Sequence, residues 1–186
     1  VLVLVPGRKH GEAILFCRER DPEREGWDGP RLGPDGAVEL LGMDDAYPIS
    51  DIDDILPGLL EGRRRVHYHL GRDADFDLKL IGWLNRVRAQ ARQGAQPPQE
   101  FLELGHLLDE MRLFKSADEV KLMQRAADIS VEAHRAAMRA ARAGIHEYEL
   151  QAEVERVFRM HDAQPAYGSI VGAGANACVL HYRDSR

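Results

Sequence analysis

Apolar residues open the chain as a strand-like run, Val1-Leu2-Val3-Leu4-Val5, and return in Ala13–Arg18. The segment between them, Pro6-Gly7-Arg8-Lys9-His10-Gly11, has hairpin chemistry, so two joined strands are predicted. Glu19 to Gly36 is charged and rich in Gly and Pro, which predicts a long surface loop. Val38–Leu41 fits a short helix. Ser50 is placed to cap a helix through Ile52, Ile55, Leu56 and Leu59, with Gly62 behind it. Val66–Leu70 reads as a strand. Asp73–Arg92 reads as an amphipathic helix with Phe76, Leu80, Leu84 and Val87 on one face.

The pattern changes after Leu113. Ser116 followed by Glu119 is a capping box. A helix of about seven turns should run through Val120, Met123, Ala127, Ile129 and Ala133 to Arg142, with Gly144 as its stop. A second should run from Glu147 to His161 with Leu150, Val154, Val157 and Phe158 inward. The apolar runs Ser169-Ile170-Val171 and Cys178-Val179-Leu180 flank small residues and predict a hairpin that delivers His181 at a strand end. Residues 1–112 thus predict an α/β domain, and residues 113–186 the opening of an α+β domain.

Both ends read as cuts. The chain has no initiator Met and starts on an apolar strand that needs neighbours. It is therefore expected to be an internal segment of a longer protein. Val1–Val5 is too short to span a bilayer and lacks the flanks of a signal peptide. A net charge of −6 gives no reason to expect nucleic acid or an anionic membrane as partner. The two cysteines, Cys17 and Cys178, lie far apart in apolar runs, so a reducing cytoplasm is the expected compartment. Gly172-Ala173-Gly174-Ala175-Asn176 lacks the third glycine of a dinucleotide loop. His67 and His69 alternate on one strand without a third ligand, and Asp51-Ile52-Asp53-Asp54 suits a helix N-terminus, so neither group asks for a metal.

Three motifs carry a family resemblance. Glu110 to Glu119 and Ile170–Tyr182 resemble the domain junction and first active-site strand of the Xaa-Pro aminopeptidases, the aminopeptidase P family of pita-bread metallopeptidases. Trp27-Asp28-Gly29-Pro30-Arg31-Leu32-Gly33 is similar to a Trp-containing loop of their N-terminal domain. The resemblance implies a creatinase-like α/β domain over 1–112, its start missing, and the beginning of a pita-bread catalytic domain over 113–186, most of it missing. It implies two divalent metal ions, usually manganese, whose ligands follow the last residue here; none is held by this segment, which alone should be inactive. His181 matches an active-site histidine. Trp27 matches a tryptophan that reaches a neighbouring subunit's site, and Arg92 falls near an arginine that approaches the site. The implied substrates are peptides with proline in second position, and the implied state is a homo-oligomer, tetramer or dimer. A prolidase-type dipeptidase and a non-catalytic pita-bread binding or assembly module are the competing functions.

The chemistry suits these residues. A proline imide has no N–H and a fixed φ, so ordinary peptidases bind it badly. An imidazole can donate a hydrogen bond to charge growing in the transition state, and an arginine can pair with a substrate carboxylate. Each has a plain alternative: His181 as a backbone-bonded strand end, Trp27 as a cover for a small apolar patch, Arg92 as a solvated last-turn cation.

Overall fold

Alternation along Ala13–Cys17 puts Ile14 and Phe16 on one face, and in the computed structural model, which describes residues 1–186, both are essentially inaccessible. This strand, β2, pairs antiparallel with β1 (Leu2–Leu4), Leu2 facing Leu15 and Leu4 facing Ala13. The connecting turn is drawn in by Asp44. Its carboxylate accepts the N–H groups of Glu12 and Ala13, both at 2.8 Å, which hold it below the usual carboxylate range. A Cβ on Gly11 would stand 2.2 Å from Asp44 Cβ, and φ there is +97°, so only glycine fits.

β3 (Asp45–Pro48) lies parallel to β2, Ile14 facing Asp45 and Cys17 facing Pro48. Parallel pairing requires a crossover, and two helices supply it: α1 (Pro22–Asp28) and α2 (Gly33–Leu41). The expected Glu19–Gly36 loop is therefore mostly helical. Asp21 caps α1 by accepting the Arg24 N–H (3.2 Å), and Pro22 occupies the first helical position, where a missing N–H costs nothing. The Val38–Leu41 helix is the end of α2.

A 3-10 turn, Ile49–Asp51, leads into α3 (Ile52–Leu60). Ser50 sits inside that turn and donates to Asp51 Oδ1 (3.0 Å), so it does not cap α3. Pro57 lies within α3 and has no N–H to give the Asp53 carbonyl. The Arg86 guanidinium donates to that carbonyl instead. Arg86 belongs to α4 (Ala74–Ala89), which Asp73 caps through the Phe76 N–H (3.0 Å). Asp53 Oδ1 also accepts the Trp83 indole N–H at 2.9 Å. Trp83, Leu80 and Leu84 of α4 meet Ile52, Leu56 and Leu60 of α3 and the β2 residues in one core.

β4 (Arg65–Tyr68) pairs parallel with β5 (Glu100–Glu103), and α5 (Leu104–Leu113) follows. Contacts divide the chain into two units, Val1–Met111 and Arg112–Arg186. The second is a helical hairpin with a long tail. In α6 (Ala117–Ala140), Ser116 Oγ accepts the Glu119 N–H (3.2 Å) and Glu119 Oε2 the Ser116 N–H (2.7 Å), completing the capping box. α7 (Glu147–Met160) packs Val157 against Ile129, Ala133 and Ala136 of α6, with Val154 and Phe158 alongside. Val120 and Met123 remain exposed. No helix is long and apolar enough to cross a membrane.

The expected hairpin after Ser169 does not form. Gly174–Cys178 is a 3-10 turn, and Leu180-His181 is a further turn. A lone two-stranded hairpin is marginal in water, and the second unit offers no strand to extend it. The tail instead satisfies its backbone groups on a side chain, as follows.

Candidate functional site

Glu147 is the first residue of α7 and the only buried charged side chain in the chain, 5% exposed. A carboxylate there normally serves the helix dipole. This one turns inward and gathers the tail. Its Oε1 accepts the Ala173 N–H (2.7 Å) and Asn176 Nδ2 (3.0 Å), and its Oε2 accepts the Arg186 N–H (2.8 Å). The Glu147 N–H in turn donates to the Arg186 carbonyl (2.7 Å). Asn176 Nδ2 also donates to the Tyr182 hydroxyl (3.1 Å), and the Tyr182 ring is buried.

These donors explain the electrostatics. The Tyr182 hydroxyl, then Asn176 and the two N–H groups, hold the Glu147 carboxyl down at about 2 against the opposing cost of burial. The same contact with Glu147 pushes the Tyr182 phenol up. Burying a charge is costly unless hydrogen bonds replace its hydration, and here neutral donors do so without a cation. Gly172 permits the fold of the tail: a Cβ there would meet Asn176 O at 3.1 Å and the Ala177 backbone at 3.2 Å.

His181 sits between these anchors. Tyr182 follows it directly, Asn176 lies before it within the Gly174–Cys178 3-10 turn, and its own side chain is exposed and makes no hydrogen bond within the chain. It is on a turn, not on the strand end that the sequence predicts. Trp27 lies on α1 and is 89% exposed; nothing on α1 is buried. Arg31 steadies this helix by pairing with Asp21 (3.8 Å) and Asp28 (3.9 Å), and Arg20 pairs with Glu25 (2.9 Å). Arg92 lies beyond the end of α4, in an exposed 3-10 turn over Ala91–Gln93. Trp27 and Arg92 stand on separate elements of the first unit, and neither side chain forms an ion pair.

Three of the other histidines have partners for their side chains. His69 Nδ1 meets Glu103 Oε1 at 2.5 Å, His134 Nδ1 the Ser130 carbonyl at 2.8 Å, and His161 Nε2 Glu132 Oε2 at 3.0 Å. No three His, Cys, Asp or Glu side chains come together in a way that could hold a metal ion. A concave surface of the second unit, lined by Arg125, Asp128, Glu132 and His161 among others, does not include His181. Sequence reasoning passes over Glu147, because its partners lie 26 to 39 residues away and no local pattern announces them.

Residues 1–68 match the family described as aminopeptidase P, N-terminal domain, and residues 121–186 match metallopeptidase family M24. The chain is 39% identical over 187 residues to the Xaa-Pro aminopeptidase of Escherichia coli K12, covering 100% of this chain and 42% of that protein. It is 35% identical to the Haemophilus influenzae Xaa-Pro aminopeptidase, covering 99% of this chain and 40% of that one. The chain thus spans about two fifths of the length of these relatives. Among solved structures, Pseudomonas aeruginosa aminopeptidase PepP superimposes with a TM-score of 0.93 at 62% identity, covering 98% of this chain and 41% of that one. Escherichia coli aminopeptidase P, solved in complex with substrate and, zinc-substituted, with product, gives 0.88 at 39% identity, covering 93% and 40%.

Proposed function

Since this chain belongs to the aminopeptidase P group of metallopeptidase family M24, with the aminopeptidase P N-terminal domain followed by the start of the M24 catalytic domain, we propose that the protein carrying it is a metal-dependent aminopeptidase. It releases the N-terminal residue of peptides whose second residue is proline. The observation that supports this most is the likeness to aminopeptidase PepP over 98% of the chain.

Within this reading His181 is the catalytic group of the segment. Its imidazole is exposed, free of internal partners and followed directly by the buried Tyr182. It donates a hydrogen bond to substrate or to the oxygen that gains charge when the amide is attacked, without rearranging first. Arg92 pairs with a substrate carboxylate. Trp27 forms part of a lid, meeting the active-site mouth of another subunit in a homo-oligomer, since an exposed large aromatic suits an interface. The two metal ions, manganese by family usage, are held by residues outside this segment. The side chains here do not fit a metal pair. Both cysteines are unpaired, which supports a cytoplasmic location.

The test is an assay of the full-length protein on peptides with proline second. Release of the first residue is expected, abolished by chelation and restored by manganese. His181→Ala should lower turnover about 10²–10³-fold with bound metal unchanged. Cleavage of dipeptides alone would replace this reading with a prolidase, and no cleavage would leave a binding module.

A further inference from the structure

We propose that Glu147 is a positioning residue for His181, a buried carboxylate that fixes the turn presenting the imidazole. This rests on the catalytic reading of His181. Three features of the geometry carry it.

The donors to Glu147 bracket the histidine. Ala173 and Asn176 lie before it, Arg186 lies after it, and Asn176 extends the network to Tyr182, the residue next to it. The clamp also accepts on both oxygens, which suits an ionised carboxylate, since an ionised carboxyl accepts only and has no proton to place. With its carboxyl held at about 2, Glu147 stays ionised wherever an imidazole changes its proton. Finally, His181 is exposed while the Tyr182 ring beside it is buried, so the backbone is anchored at the point from which the imidazole projects.

Glu147→Gln keeps the size but turns an N–H₂ toward a backbone N–H. The experiment uses full-length protein in four forms: parent, Glu147→Gln, His181→Ala and the double variant. The readouts are kcat, KM, bound metal, melting temperature and amide hydrogen exchange over residues 173–186. Glu147→Gln is expected to lower kcat about 10²-fold, the cost of a misplaced group, with KM and metal near the parent's and faster exchange at Ala173. In the His181→Ala background the same change should cost no more than about twofold further. A full, independent loss in the double variant, or an unchanged kcat in Glu147→Gln, would overturn the positioning role. If His181→Ala itself leaves turnover intact, the catalytic reading is what fails, and the positioning role falls with it. Should Glu147→Gln fold poorly, Asn176→Ala removes one donor and spares the carboxylate. It should lower kcat about tenfold, again only while His181 is present, and an unchanged kcat would count against the clamp.

Discussion

In Val1–Met111 the elements are held by large side chains, with Ile14, Phe16, Leu56, Leu80 and Trp83 in one core and a run of rings from Tyr68 to Phe76 (5.6 Å) to Trp83 (5.4 Å). In Arg112–Arg186 the packed core is Ile129, Ala133, Ala136 and Val157, and the tail is fastened by one carboxylate. Alanines let α6 and α7 approach closely but bury little apolar area each. Position in the first unit is thus a matter of packing, and in the second a matter of directed hydrogen bonds. Packing averages over many contacts, whereas a hydrogen-bonded clamp fails when one group changes. The two regions should therefore respond differently to the same kinds of perturbation.

The largest effect should come from the packed core. Phe16→Ala removes a fully buried ring and should cost about 3–5 kcal/mol in urea unfolding. A cost below 1 kcal/mol would show that β2 is not the centre of its unit. Acid should act next, and on the clamp. The folded carboxyl of Glu147 lies at about 2, below its ordinary value of 4.5, so its contribution is present above 4.5 and is lost as pH falls toward 2. Amide protection at Ala173 should decline over that window in the parent and be flat in Glu147→Gln. Equal declines in both would assign the transition to other carboxylates.

A cap gives a smaller effect. Ser116→Ala should cost about 1 kcal/mol, read by denaturant midpoint, since it removes the acceptor for the Glu119 N–H. The smallest should be at Trp27. Trp27→Ala should alter stability by no more than about 0.5 kcal/mol, while lowering turnover on longer peptides and weakening self-association in sedimentation. A stability loss like that of Phe16→Ala would make Trp27 a packing residue and erase the contrast.

The parts legible in the sequence are those with a local cause. Ile14 and Phe16 follow from strand alternation, the start of α6 from Ser116 and Glu119, and the buried face of α4 from Leu80, Leu84 and Val87. β3 and β5 are not legible, because Asp45-Ala46-Tyr47-Pro48 and Glu100-Phe101-Leu102-Glu103 are short and partly polar. They become strands only where β2 and β4 offer an edge. For α1 the signal, Asp21-Pro22, is present but submerged in charge and glycine. The tail fails the other way: its apolar runs call for a ladder, and Glu147, a distant side chain, meets the need instead.

The Asp53 carbonyl has a consequence of its own. Pro57 removes the amide that would have served it, and Arg86 stands in from the neighbouring helix. Residues 57 and 86 therefore form a hidden pair, although their side chains need not touch. An alanine at 57 would restore the helix's own bond and leave the guanidinium only its pairing with Asp54 (3.5 Å). A chain that gave up the arginine would pay little only if it had first given up the proline, so the order in which the two could change is not free.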